Sequence, residues 1–287
     1  MDEFIETSEI SNELVKLEEH LTQKLHVDPF VEKRYELMQR KFVERIEKGE
    51  MGVWLVGMLN KMGPREPLVS QDISGKFDLV TDYEEIDEFR RRYKVDFVRP
   101  IFTSDLADFQ NVSRKLTGDS SSRGMNIKGG SLAADPTIRQ NSLIISSSSS
   151  QNREFLIHEL KHSIDPNFNL RHGKDKVLEE FSAFWTDITH PREVISVNNI
   201  TGEQTGRIIE SSPEKIAVKL KVDPTYFQQY REVFSSKDEY DEFIDKTAGV
   251  LTGLGKSYTN AEVDLAILNA RSLSELERLL QLKNTTK

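Results

Sequence analysis

His158-Glu159-Leu160-Lys161-His162 constrains this chain more than any other stretch. Residues four apart stand on one face of a helix. The two imidazoles therefore act together only if this run is helical. On a helix both reach one metal ion, and Glu159 stands beside it, able to touch a water on that ion. Phe155, Leu156, Ile157 and Leu160 require that helix to be largely buried. Pro166 forces its end near Ile164 or Asp165. Upstream, residues 141–146 read as a short strand, and Ser149, Ser150 or Asn152 is placed to cap the helix. The order is strand, polar turn, metal helix.

The chain has no cysteine, which excludes thiolate ligands, a cysteine nucleophile and a disulfide framework. A metal must be held by His, Asp and Glu. Zn2+ is suited to two neutral imidazoles and a carboxylate, with the fourth position left for water. It acidifies that water and polarises a carbonyl. Glu159 would take the water's proton and pass it to the leaving amine.

The third ligand is expected from a helix over residues 176–189. Glu180 is the choice, because Val177, Phe181 and Phe184 turn its face inward. Glu179, about 100° away in helical phase, shares a face with Lys176, Ser182 and Ala183, nearer solvent, and is the alternative metal ligand. Asp165 is the candidate partner for the second nitrogen of a ligand histidine, fixing its tautomer.

His158-Glu159-Leu160-Lys161-His162-Ser163-Ile164-Asp165, followed by Glu179-Glu180-Phe181-Ser182-Ala183, resembles the gluzincin-type zincin metallopeptidases. In motif it is most similar to the catalytic domains of the anthrax lethal-factor-like group. The resemblance covers roughly residues 130–190. It implies zinc on His158, His162 and Glu180, with Glu159 as the catalytic base. The activity implied is that of a zinc-dependent endopeptidase on a protein or peptide substrate. The alternative is a catalytically inactive zincin-like structural or interaction protein, a subunit of a larger assembly.

The resemblance has gaps. No third histidine follows at metzincin spacing. The lethal-factor-like group carries a tyrosine shortly before its third ligand, where it can stabilise an oxyanion, and Arg171-His172-Gly173-Lys174 has none. His172, or Tyr226, Tyr230 or Tyr258 from the C-terminal part, is a candidate electrophile. Many zincins also hold extended substrate by backbone pairing to a strand above the metal helix. Residues 139–145 or 129–132 are the candidates for it.

With 39 basic and 48 acidic residues, the formal net charge is -9. No overall basic field would steer a phosphate backbone, so no nucleic-acid partner is expected. Arg90-Arg91-Arg92 is short and sits beside acids. The longest apolar patch, residues 51–62, is interrupted by Gly52, Gly57, Asn60 and Lys61. It is too short for a membrane span and reads as a buried helix. The first six residues lack a basic n-region and a following apolar core. The expectation is a cytoplasmic protein, or one exported without a conventional signal peptide.

The expected fold class is α+β and predominantly helical, with a zincin-like catalytic core around a small mixed sheet. Residues 1–92 form an N-terminal helical region, 93–222 the core and 223–287 a C-terminal helical region. The charged helices at both ends are candidate docking surfaces for a protein partner. Helices are expected over 8–48, from a cap at Thr81 or Asp82 to about Arg92, and over 104–116, 225–234, 237–247, 260–269 and 274–282, the last with Ser274 and Glu277 as a capping box. Strands are expected over 93–98, 194–197, 207–209 and 216–222. Residues 118–130 read as a long Ser/Gly loop, and 249–255 as a glycine-rich break. Gly255-Lys256-Ser257 lacks phosphate-loop spacing and follows a helix.

Overall fold

The computed structural model describes residues 2–23, 40, 44–45, 47–60, 64–80, 84–93, 101–118, 124–128, 142–147, 153–168, 170–189, 192–197 and 204–285. In chain order its first elements are α1 (Asp2–Thr22), α2 (Met51–Asn60), α3 (Ser70–Ile73), β1 (Asp78–Val80), α4 (Glu84–Tyr93), β2 (Ile101–Ser104) and α5 (Leu106–Thr117). They are followed by β3 (Gly124–Lys128), β4 (Ser142–Ser147), α6 (Arg153–Ile164), a 3-10 turn (Gly173–Val177), α7 (Leu178–Phe184) and α8 (Thr186–Thr189). The last elements are β5 (Arg192–Val197), β6 (Gln204–Ile209), α9 (Pro213–Val222), α10 (Pro224–Tyr230), α11 (Lys237–Leu254), α12 (Asn260–Asn269) and α13 (Leu273–Thr285). The protein is predominantly helical. Two compact units divide it, one of Met1–Leu25 with Asp165–Lys287 and one of His26–Ile164.

In the unit of His26–Ile164 the sheet order is β1-β2-β4-β3. β2 and β4 are parallel, with Phe102 opposite Ile145. The outer pairings are antiparallel, with Leu79 opposite Phe102 and Met125 opposite Ile145. Parallel neighbours need a crossover, and α5 begins it. Asp105 caps α5 by accepting from Asp108 N at 2.9 Å. Gly118, at φ 83, ends it with its N–H on Arg114 O. Leu55 and Leu59, one turn apart on α2, are buried with Leu68, Phe102, Phe109 and Val112. Asn60 pins the chain after α2, its amide donating to Leu68 O and accepting from Leu68 N at 2.7 and 2.8 Å. The motif helix α6 packs on β3 and β4, with α4 against it.

The other unit is a helical assembly with the antiparallel hairpin β5–β6. Phe181, Trp185, Tyr240, Leu251, Ile267 and Leu276 lie in its core. Trp185 donates its indole N–H to Asn260 O at 2.9 Å. α1 belongs to this unit: Leu21 is fully buried, and Asn269 donates to the Leu21 and Gln23 carbonyls, both at 3.0 Å. Glu18 on α1 accepts from Tyr258 at 2.8 Å and pairs with Lys283 at 2.6 Å. No helix among the described residues is long and apolar enough to cross a membrane.

Several elements depart from the sequence expectation. Tyr93 closes α4 instead of opening a strand, and the described strand starts at Ile101, after Pro100. Residues 94–100 lie outside the described residues, as do 24–39 of the expected first helix. β3 lies inside the expected 118–130 loop; Met125 and Ile127 alternate with polar or small residues, a signal diluted by the flanking Ser and Gly. The expected strand at 216–222 is part of α9. Ser212 accepts from Lys215 N, Pro213 takes the first turn, and Ile216, Ala217 and Leu220 share the buried face.

The expected helix over 176–189 is divided into a 3-10 turn, α7 and α8. α11 runs through Gly249 and Gly253 without a break. At Gly253 a Cβ would stand 2.8 Å from Leu280 Cδ2, so the glycine admits α13. Ser274 lies inside α13, and the helix start is held by Leu273 N donating to Asp175 Oδ1 at 2.8 Å.

Candidate metal centre

α6 carries the histidine pair. His158 and His162 are buried, 7% and 6% exposed. Their Nε2 atoms stand 3.1 Å apart, with the rings edge to face at 85°. Two ligand atoms about 2.0–2.1 Å from a tetrahedral zinc would stand about 3.4 Å apart, so the pair is close to chelating separation. Glu159 is half-buried. Lys161, inside the motif, is fully buried. It donates to the Tyr93 hydroxyl at 2.8 Å and lies 4.2 Å from that ring's centroid, in cation-π contact. The predicted caps at 149–152 lie outside the described residues.

α7 supplies the carboxylate. Every residue from Leu178 to Phe184 is buried, including Glu179 and Glu180 at 6% and 5% exposure. Two acids in one buried turn are unusual, because a carboxylate loses its hydration on burial. The expectation that Glu179 shares with Lys176, Ser182 and Ala183 a face nearer solvent is corrected in part: Lys176, before the helix, is exposed, but α7 itself is enclosed on all sides, and phase does not separate an inner face from an outer one. Glu180 Oε1 accepts from the Tyr230 hydroxyl at 3.2 Å and from Gln229 Nε2 at 3.4 Å.

His158, His162 and Glu180 each offer a ligand atom, and these atoms lie within 4.8 Å of one another. Among the described residues this is the one such group of His, Asp and Glu, and Glu179 is not in it. Two imidazole nitrogens and a carboxylate oxygen, all buried, form a donor set that fits a metal ion and suits zinc.

The remaining candidates fall in different places. Asp165 accepts from Asn167 N at 2.8 Å and from Arg171 Nη1 at 2.5 Å. It starts a buried network. Arg171 donates to Ile267 O and Ala270 O, and Asn167 Nδ2 to Leu268 O and Asn269 O, at the carboxyl end of α12. His172 is exposed, just before the 3-10 turn. Tyr226 packs edge-on against Phe184, ring centroids 5.8 Å apart. The Tyr258 hydroxyl is held by Glu18. Burial, and then its bond to Glu18, pushes that hydroxyl's pKa up.

Among the four candidate electrophiles, Tyr230 is bonded to a member of the metal group, through Glu180. Burial first, and the Glu180 charge second, push its pKa well above the ordinary tyrosine value. Sequence reasoning gave no role to Gln229, Arg171 or Lys161. Their partners Glu180, the carbonyls of Ile267 and Ala270, and Tyr93 lie far along the chain, and no local pattern foretells those contacts. The expected substrate strand over 139–145 also changes. Among the described strands β4 lies between β2 and β3, and β3 is outermost. Residues 129–132 lie outside the described residues.

Comparison of the chain with protein-family models, with curated proteins and with solved structures finds no match.

Proposed function

We propose that this protein is a zinc-dependent endopeptidase of the zincin kind, acting on a protein or peptide substrate. The buried group of His158, His162 and Glu180 carries the reading, with the glutamate of the motif, Glu159, next to the first histidine. His158, His162 and Glu180 hold the ion. A bound zinc supplies a Lewis acid that polarises a carbonyl and makes water acidic at neutral pH.

Glu159 takes the proton as water attacks the scissile carbonyl and delivers it to the leaving amine. Its half-buried position suits a base that must meet solvent and substrate. β3, outermost among the described strands and packed on α6, is the strand on which an extended peptide would pair through its backbone.

The experiment is elemental analysis of the purified protein beside Glu159→Gln, with both incubated with a degenerate peptide library. The expected result is about one zinc per chain in both and cleavage by the parent alone. A parent without metal overturns the metal site. Metal with no cleavage overturns the endopeptidase reading while leaving the site.

A further inference from the structure

The fit of Tyr230 to Glu180 carries an inference about how the carboxylate is held. We propose that Tyr230 is a positioning residue for Glu180, holding Oε1 and so fixing how the carboxylate is presented to the ion, and is not the group that stabilises an oxyanion. The proposal rests on the zinc reading of His158, His162 and Glu180.

A tyrosine has one O–H to give. Here it is given to Glu180 Oε1 at 3.2 Å. Gln229 Nε2 stands 3.3 Å from the Tyr230 oxygen and 3.4 Å from the same Oε1. The two donors converge on one oxygen of one carboxylate, and the phenol ring that delivers the stronger of them is itself buried at 5% exposure. A hydroxyl fixed in this way is occupied before substrate arrives, and redirecting it would strip a donor from a buried carboxylate. Tyr230 lies at the end of α10, and Gln229 is the exposed residue before it. Both come from a helix distant in sequence from α6 and α7. Partners of this kind orient a ligand and raise its affinity for metal.

The test is zinc affinity, read by competition with a chromophoric chelator, for the parent, Tyr230→Phe and Gln229→Met. Tyr230→Phe keeps the ring and removes the donor. Its zinc affinity is expected to fall about 10–100-fold, with a changed visible spectrum in the cobalt-substituted protein. Peptidase activity lost at limiting zinc is expected to recover as free zinc is raised. Gln229→Met is expected to fall in the same direction by less. Parent-like zinc affinity in Tyr230→Phe, with an activity loss that persists at saturating zinc, overturns the proposal and makes Tyr230 an electrophile. Should Tyr230→Phe fail to fold by circular dichroism, unchanged affinity in Gln229→Met overturns it instead. A parent that binds no zinc overturns the underlying metal reading along with it.

Discussion

Arg171 and Asp165 form an ion pair from which water is excluded. Nη1 stands 2.5 Å from Oδ2, and both side chains are fully buried. The guanidinium also spans the end of α12 through the Ile267 and Ala270 carbonyls. Removing one partner strands the other charge in the interior. Arg171→Met is expected to lower unfolding free energy by about 3–5 kcal/mol, measured by urea denaturation. Arg171→Lys is expected to recover only part of it, because an ammonium lacks the planar fork that meets Asp165 and two carbonyls together.

Glu159→Gln is expected to leave zinc content and melting temperature near those of the parent and to reduce kcat by about 10²–10⁴-fold, the range for losing a general base. Stopped-time cleavage of a selected library peptide measures it. Retained cleavage would remove Glu159 from the chemistry.

Zinc should couple to folding through its three ligands. With free zinc about 100-fold above Kd, binding adds about 2.7 kcal/mol of stability. Chelation is therefore expected to lower the melting temperature of the parent. In His158→Ala and Glu180→Gln the same chelator is expected to shift melting much less. Scanning calorimetry with and without chelator reads the difference.

Glu239 offers a pH-dependent contribution. Its hydrogen bond from Lys174, with further support from Ser235 N, lowers its carboxyl from 4.5 to about 2. The folded form thus holds its proton less tightly than the unfolded form. The stabilisation is present above pH 4.5 and is lost as pH falls from there toward about 2. Glu239→Gln is expected to flatten the fall of melting temperature with acid in that window, and an unchanged slope would remove the pair from the account.

Two glycines of α11 are expected to respond differently to alanine. Gly249 is exposed, and a Cβ there meets nothing within 4 Å. Gly249→Ala should gain about 1 kcal/mol from helix propensity. Gly253→Ala meets Leu280 and should keep little of that gain or lose stability. Thermal melts of the two variants separate the effects.

The parts legible in the sequence were those governed by short-range spacing. HELKH needs a helix, and α6 ends at Ile164 under Pro166. Residues 260–269 form the expected helix with matching bounds, because Thr259 and Glu262 cap it reciprocally. His158 and His162 come together as their spacing implied, and Glu180 joins them, although the phase argument that favoured it over Glu179 does not hold in a helix buried all round.

What escaped depends on distant partners. Alternation at 216–222 reads as strand until Ser212 and Pro213 are seen to start a helix. The role of Arg171 was invisible because its carbonyl acceptors lie near residue 268. Glu179 looked solvent-facing because a helical wheel does not know that α7 is enclosed by the core.

α1 carries a consequence for biosynthesis. It is synthesised long before its partners, because its contacts with Tyr258, Asn269 and Lys283 join residues more than 200 positions apart. At about 5–20 residues per second, it waits on the order of ten seconds or more for them. Residues 26–164 are synthesised in full during that interval. Leu21 meanwhile has no core to enter, so the burial of α1 is deferred until α12 and α13 have been made.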